Sequence, residues 1–233
     1  MIRKPTQQLL ALLLMALSNA AFAHAVWLER DAKQAYLYYG EYDEAKRETS
    51  PGRLDDIGTP VLFVNGQSVN GVKTAKGWRF DAVKKGELRA EAAETPVRDW
   101  RQYGIGIVKP FFYARHLDTP LSQTPASALD LVSTGKAGEF RLFLNGQPLG
   151  GSKIIGVAPN GWTREIKTDA EGKITLDMPW RGVYVMEATH VQAETGEYQG
   201  VAYEGRRMRA TLSYHQKTGV PTFSPKAEKP AKY

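Results

Sequence analysis

The feature that most constrains the fold is a pair of matching hairpin sequences. Residues 61–71 read VLFVNGQSVNG and residues 141–151 read RLFLNGQPLGG. Each is an apolar strand followed by Asn-Gly, the dipeptide that favours a tight turn between two antiparallel strands. The shared L-F-x-N-G-Q motif returns after 80 residues, a spacing that suits two β-sandwich domains in tandem. Chance recurrence of Asn-Gly turns in a β protein remains the alternative.

Other segments alternate apolar and polar residues, which is the pattern of a half-buried strand. They are residues 34–42 (QAYLYYGEY), 86–92 (GELRAEA), 173–178 (KITLDM), 183–191 (VYVMEATHV) and 208–215 (MRATLSYH). Long helical periodicity is absent from the sequence. The chain is therefore predicted to be all-β, with two tandem immunoglobulin-like β-sandwich domains after a cleaved signal peptide.

Residues 1–23 are predicted to be that signal peptide, which directs the protein to export. Two basic residues precede a nine-residue apolar run at 9–17, and a small-x-small cleavage pattern ends at Ala23. The apolar run is shorter than the roughly 20 residues that a membrane span needs. A cut after Ala23 makes His24 the first residue of the mature chain. The alternative cut after Ala25 removes that histidine.

The remaining boundaries follow from composition. The first β domain is predicted at 24–118, followed by a Pro/Ser/Thr-rich linker at 119–128. The second β-sandwich is predicted at 129–218. Residues 219–233 are rich in Pro and Lys and are predicted to form a disordered tail.

Composition and motifs exclude several functional classes. The chain has no cysteine, so thiolate nucleophiles, thiolate ligands and disulfides are absent. The formal net charge is +6, but no basic stripe of the kind that binds nucleic acid is present. The G-x-S-x-G elbow, the P-loop, the dinucleotide fingerprint and H-E-x-x-H are all missing. We therefore predict a binding protein and not an enzyme.

A histidine at the start of the mature chain offers two nitrogen ligands. The α-amine has a pKa of about 7.7–8.0 and the imidazole one of about 6.5, so both can give up a proton to a metal near neutral pH. Together the α-amine and Nδ1 of His24 can chelate one ion. A second imidazole would complete a set that suits Cu(II), Ni(II), Co(II) or Zn(II). The alternative is a flexible, solvated terminus.

The other candidate ligands are the three remaining histidines: His116, His190 and His215. His116 closes the last strand predicted for the first domain. His190 shares a strand face with apolar side chains, so it is either a ligand or a core histidine. His215 shares a face with Arg209 and Ser213, and we predict that this face lies in solvent.

Four stretches resemble a family of exported bacterial proteins associated with nickel or cobalt uptake. They are AFAHAVWLER (21–30), KPFFYARH (109–116), FRLFLNGQPLGGSKI with VYVMEATH (within 140–190), and YEGRRMRATLSYH (203–215). The His-x-x-Trp-Leu-Glu start of the family falls on His24 to Glu29. The histidine that closes its G-x-(Y/W)-x-(L/M)-x-A-x-H strand falls on His190. At Ala25 many members of the family carry an aspartate, so that carboxylate ligand is missing.

The resemblance implies a two-domain β protein that handles metal in the periplasm. We expect it to bind nickel or cobalt, with copper, zinc and iron as alternatives, and to hand the metal or a metal chelate to a membrane transporter or TonB-dependent receptor system. A first alternative is a copper-dependent oxidative enzyme with a terminal-histidine centre and an axial Tyr184 or Tyr214. A second is a structural or adhesion-type β module without a ligand.

Overall fold

The computed structural model describes residues 24–31, 33–81, 86–119, 121 and 123–222. The predicted signal peptide and most of the predicted disordered tail lie outside these residues. Within them the regular structure consists of β-strands and short 3-10 helices, which confirms the predicted all-β class. No helix in these ranges is long and apolar enough to cross a membrane.

The first half of the chain contributes ten of the described strands. They are β1 (Ala25–Arg30), β2 (Ala35–Glu41), β3 (Lys46–Arg47), β4 (Val61–Val64), β5 (Gln67–Val69), β6 (Val72–Thr74), β7 (Gly77–Phe80), β8 (Leu88–Ala92), β9 (Arg98–Asp99) and β10 (Ile107–Leu117). Two 3-10 helices, Arg53–Ile57 and Arg101–Tyr103, lie between them.

The second half contributes nine more of the described strands. They are β11 (Leu129–Ser133), β12 (Glu139–Leu144), β13 (Gln147–Pro148), β14 (Lys153–Val157), β15 (Thr163–Lys167), β16 (Lys173–Thr175), β17 (Trp180–Tyr198), β18 (Val201–Gln216) and β19 (Val220–Pro221).

Both Asn-Gly hairpins form as predicted. Asn65 and Gly66 have φ values of 50° and 82° between β4 and β5, and Asn145 and Gly146 have 50° and 78° between β12 and β13. Two consecutive positive φ values are what the twist-matched hairpin turn requires. The match between the two sequences is therefore a match of local structure.

The strands form three sheets. A central sheet runs in the order β15-β14-β17-β18-β10-β8-β4-β5, with β9 beside β10. An N-terminal sheet runs β1-β2-β7-β6, with β3 beside β2, and a C-terminal sheet runs β11-β12-β13, with β16 beside β12. Within the central sheet, β10 pairs in parallel with β18 from Val108↔Gly205 to Leu117↔Tyr214. Strands that precede the predicted linker at 119–128 and strands that follow it thus belong to one continuous sheet.

The N-terminal and C-terminal sheets cover opposite faces of the central sheet. Strand β10 shows this directly, since Phe112 and Ala114 belong to one hydrophobic core and Tyr113 and Leu117 to the other. Successive side chains of a strand point to opposite faces, so the two cores lie on the two sides of β10. The sandwich therefore has one shared layer and two separate cores.

The last hairpin is longer than its sequence pattern predicts. Strands β17 and β18 extend well beyond the predicted segments 183–191 and 208–215, and they meet at a tight turn of Gln199 and Gly200 with φ values of 52° and 77°. Between Ala193 and that turn the two strands pair with each other alone. Polar side chains suit a ribbon that pairs with no further strand. Because its residues are mostly polar, a search for alternating apolar residues does not find it.

Candidate functional site

His24 immediately precedes β1, where β1 crosses the face of β18. The Arg209 guanidinium donates a hydrogen bond to the His24 carbonyl oxygen, and the Thr211 hydroxyl donates one to the Val26 carbonyl at 2.7 Å. Only 13% of the His24 side chain is exposed. The backbone at His24 is therefore held in place, which disagrees with a flexible, solvated segment.

The two ring nitrogens of His24 face two different carboxylates. Nδ1 lies 3.1 Å from Oε1 of Glu41, and Nε2 contacts Oε1 of Glu48. A neutral imidazole carries a single N–H, so it can donate to one of these carboxylates but not to both. The second contact is favourable only with another proton or another cation between the two groups.

Two basic side chains complete this cluster. Lys46 Nζ lies 3.1 Å from Oε1 of Glu41 and 3.6 Å from Oε1 of Glu48, while Arg53 Nη1 lies 3.2 Å from Nε2 of His24. Partial burial raises the pKa of Glu48, but the hydrogen bond from His24 and the nearby positive charges outweigh it and leave that pKa below its ordinary value. Glu48 is therefore a carboxylate at neutral pH.

The cluster opens onto a cavity of about 610 Å³. It is lined by His24, Glu41, Lys46 and Arg53, together with residues 97–100, 102 and 103. The rim is polar and carries both signs of charge.

A second, smaller cavity of about 170 Å³ shares His24, Arg53, Arg98 and Trp100 with the first. Its charged lining residues are Arg53, Asp56, Arg98 and Arg207, and its aromatic ones are Tyr39, Trp100 and Phe112. We call the two volumes the outer and inner cavities.

His116 and His215 meet at a different place. Nε2 of His116 lies 3.3 Å from Oδ1 of Asp118, and Nδ1 of His215 lies 3.7 Å from the same oxygen. Arg30, at the far end of β1, reaches the other Asp118 oxygen at 3.0 Å. The hydrogen bond from His116, together with Arg30, holds the pKa of Asp118 well below its usual range.

His24 and the pair of histidines at Asp118 are too far apart to share one ion. The six residue steps from His24 to Arg30 span about 20 Å, because a strand rises about 3.3 Å per residue, and Arg30 contacts Asp118. Metal–nitrogen bonds are only about 2 Å long.

His190 lies on the opposite face of the central sheet from His24. Its neighbour Thr189 accepts a hydrogen bond from Arg209, and Arg209 in turn donates to His24. Alternation then places His190 with Ala188 on the side of the C-terminal core. Burial lowers the pKa of His190. The four histidines therefore occupy three separate places.

The tyrosines that an oxidative copper centre would need also lie away from His24. Tyr184 and Tyr214 are buried members of the C-terminal core, on the far face of the central sheet. Among the residues described by the structure, no group of three or more His, Cys, Asp or Glu side chains is arranged to hold a metal ion. A metal site that includes the α-amine of His24 would not be counted among such groups, because the amine is not one of these side chains.

The prediction that the His215 face of β18 lies in solvent is wrong for most of its length. Arg209 and Ser213 are 4% and 0% exposed. The N-terminal sheet covers this face. Thr211 donates a hydrogen bond to Val26 of β1, and Arg209 donates one to His24 just before that strand. Polar side chains were expected outside, but here they bond to the backbone of the covering strand.

Comparison with known proteins assigns this chain to no family. No family model matches the chain, and no curated protein matches it. Among solved structures, one match is the Bacteroides ovatus mixed-linkage glucan utilization locus (MLGUL) SGBP-B in complex with mixed-linkage heptasaccharide. It is 14% identical over 84% of this chain and 45% of that chain, with a TM-score of 0.17. This chain thus spans less than half of that structure, and so low a score supports no inference.

Sequence reasoning singled out His24 but missed the residues around it. Glu41 closes the aromatic strand β2, and Glu48 follows β3 in the polar loop. Neither position carries a motif, and only the pairing of strands brings them to His24. Arg207 had a visible signal, because R-R-M-R at 206–209 places two arginines on one face of a strand.

Proposed function

We propose that the protein is a periplasmic, non-catalytic binding protein for a divalent transition metal ion, which it captures at His24 and hands to a membrane transporter. The observation that carries this proposal is the 3.1 Å contact between Nδ1 of His24 and Oε1 of Glu41. A nitrogen and a carboxylate oxygen at this distance can ligate one ion together.

Cleavage after Ala23 would add the α-amine of His24 to these two donors. The amine and Nδ1 of one histidine form a chelate, and Glu41 supplies an oxygen, so the set contains two nitrogens and one oxygen. Such a mixed set suits Cu(II), Ni(II), Co(II) and Zn(II). The remaining coordination positions would face the outer cavity, where water or a chelator can enter.

Glu48 acts as the carboxylate that usually accepts the second ring N–H of a metal-bound histidine. Its carboxylate contacts Nε2 of His24, which leaves Nδ1 as the nitrogen with the lone pair. Lys46 is the group that must move when the metal enters. Its side chain is 47% exposed, so its ammonium can turn into water at small cost.

Delivery to a transporter, and nickel or cobalt as the cargo, rest on the resemblance of AFAHAVWLER and VYVMEATH to the exported metal-uptake family. The outer cavity adds a physical reason for transfer. A metal held by three protein ligands beside open solvent can be taken over by an incoming ligand one bond at a time. A fully enclosed ion would lack that route.

The decisive experiment compares the mature protein, beginning at His24, with a version that has one glycine in front of His24. Calorimetric titration with Ni²⁺, Co²⁺, Cu²⁺ and Zn²⁺ measures the dissociation constants. We expect the extra residue to weaken Zn²⁺ and Co²⁺ binding at least tenfold, since it converts the His24 amine into an amide that these ions do not deprotonate. The Cu²⁺ and Ni²⁺ titrations are not part of this comparison, because those ions can bind the deprotonated amide of Gly-His. Equal Zn²⁺ and Co²⁺ affinities, or a secreted protein whose first residue is Val26, would overturn the proposal.

A second pair of variants tests the carboxylate. Glu41→Gln should weaken metal binding at least tenfold, because a neutral amide oxygen is a poorer ligand. Glu165→Gln is the matched control, since Glu165 also pairs with a lysine, Lys153, at 3.2 Å on an exposed strand. The control should bind metal as the unaltered protein does.

A further inference from the structure

We propose that the inner cavity is a binding site for a small organic polycarboxylate, beside the metal ligands at His24 and not dependent on them. The first reason is its charge. Three guanidinium groups line the cavity, from Arg53, Arg98 and Arg207, against the single carboxylate of Asp56. Asp56 is already engaged by Arg98, with 2.8 Å between Nη2 and Oδ2. The side chains that line the cavity thus carry more positive than negative charge, which favours an anion as the ligand.

The second reason is the burial of Arg207. Its side chain lies among the buried residues at 5% exposure, and its guanidinium is 5.0 Å from the centre of the Trp100 ring. Desolvation and the neighbouring charge of Arg209 lower the pKa of Arg207 to about 9, and Glu187 and Tyr39 act in the opposite direction. A carboxylate bound beside this guanidinium would favour its charged form.

The shape of the cavity selects the kind of anion. Tyr39, Trp100 and Phe112 supply apolar ring surface between the arginines. A carbon skeleton can pack against such rings, and carboxylates attached to it can take the two-pronged hydrogen bonds that guanidinium groups donate. Inorganic phosphate or sulfate has no carbon to bury. A volume of about 170 Å³ is also smaller than the usual pocket for a drug-sized ligand, about 300–1,000 Å³.

His24 lines both cavities. A polycarboxylate in the inner cavity would therefore lie beside the ion that we propose for His24, where it could serve as a further ligand. Binding of the anion needs only the arginines and aromatic rings, however, and it does not require the metal.

The experiment titrates metal-free protein with citrate by calorimetry. Metal is removed by passage over a chelating resin, because a dissolved chelator such as EDTA is itself a polycarboxylate and would compete. Parallel titrations use tricarballylate, which keeps the three carboxylates without the hydroxyl, and inorganic phosphate. We expect citrate and tricarballylate to bind with similar affinity and phosphate to bind at least tenfold more weakly.

Two variants locate the site. Arg98→Gln and Arg53→Gln should each weaken citrate binding at least tenfold. Arg79→Gln is the matched control, since Arg79 pairs with Asp81 at 3.1 Å and is 40% exposed, as Arg98 is 39% exposed beside Asp56. The control should change the affinity by less than twofold. Thermal unfolding of each variant checks that it is folded.

Three results would overturn the inference. They are failure of the unaltered protein to bind citrate, binding of phosphate as tight as that of citrate, and an equal loss in Arg79→Gln and Arg98→Gln. The metal proposal is judged separately, because the glycine-extended protein should lose its metal and keep its citrate.

Discussion

Nδ1 of His24 lies 3.1 Å from Oε1 of Glu41 because β1 and β2 pair in one fixed antiparallel register. Ala25 is opposite Gly40 in that register. His24, just before Ala25, therefore meets Glu41, just after Gly40. A slip of one residue would turn every side chain of β1 to the other face. The geometry of the candidate metal site is thus fixed by the same pairing that buries Val26 and Leu28.

The first prediction concerns Glu48, which orients the His24 ring without being a ligand. Glu48→Ala should weaken metal binding by about 10- to 100-fold, the usual cost of removing such a partner. Glu48→Gln should restore most of the loss, because its amide oxygen still accepts the Nε2–H. Calorimetry with Ni²⁺ measures both. Equal losses in the two variants would show that the charge of Glu48, and not its hydrogen bond, matters.

The second prediction concerns two glycines with the same backbone conformation. Gly146 has φ of 78° and no atom within 4 Å of an added Cβ, whereas at Gly172, with φ of 74°, the Cβ would lie 2.7 Å from the Leu142 carbonyl oxygen. Gly146→Ala should therefore lower the free energy of unfolding by about 1 kcal/mol, the cost of the backbone conformation alone. Gly172→Ala should cost about 3 kcal/mol or more, because backbone must also shift. Urea unfolding of both variants distinguishes them, and equal losses would contradict this account.

Local signals predicted the hairpins, and long-range packing decided the rest. Asn145 and Gly146 encode their turn through their own backbone preferences, so a short stretch of sequence suffices. The strand at 208–215 was found by alternation, yet the face that carries Arg209 was assigned to solvent. Its burial depends on β1, which lies about 180 residues earlier in the chain. No pattern within β18 contains that information.

The candidate site was predictable in part for the same reason. His24 stands out because of its place after the predicted cleavage site. Glu41 and Glu48 do not, since their role depends on the registers of β1, β2 and β3. His190 was assigned to the apolar face of its strand, and that face does pack on the C-terminal core. Strand alternation could not show that this face is opposite to the one beside His24.

The third prediction concerns the buried ion pair between β10 and β11. Arg115 is 1% exposed and donates from Nε to Oδ1 of Asp130 at 3.1 Å and from Nη2 to Oδ2. Oδ2 of Asp130 also accepts the backbone N–H of Ala126 at 2.9 Å, at the end of the predicted linker. Arg115→Met leaves this carboxylate buried without its cation, so it should lower the free energy of unfolding by about 3–5 kcal/mol.

Arg101→Met is the control for this pair. Arg101 binds Asp99 at the surface, where its side chain is 67% exposed, and exposed pairs are worth about 0–1 kcal/mol. Urea unfolding should show a large loss for Arg115→Met and almost none for Arg101→Met. Similar small losses would mean that the pair does not hold the C-terminal sheet to the central one.

The last prediction follows from Lys109, whose ammonium is buried on β10. Its side chain is 2% exposed, and Nζ donates to Oγ1 of Thr95 at 3.0 Å and lies 4.1 Å from the centre of the Tyr198 ring. Desolvation, and then the charge of Arg206, lower the pKa of Lys109 to about 8, although Glu94 acts against this. An unfolded lysine has a pKa of about 10.4.

Between about pH 8 and 10.4, the unfolded chain therefore binds more protons at this position than the folded protein does. Stability contributed by Lys109 must then rise with pH across that window and be constant below it. Other groups titrate in the same range, so the change is read as a difference between proteins. The unaltered protein should gain about 2 kcal/mol over Lys109→Met between pH 7.5 and pH 10.

Urea unfolding at several pH values measures this difference. Lys136→Met serves as the control, because the Lys136 side chain is 78% exposed and should show no such slope. Lys109→Met also loses the hydrogen bond to Thr95, but that loss is nearly the same at every pH and only offsets the curve. Parallel curves for the unaltered protein and Lys109→Met would mean that the folded ammonium keeps its ordinary pKa. In that case the contacts with Thr95 and the Tyr198 ring would fully replace the water that it gives up.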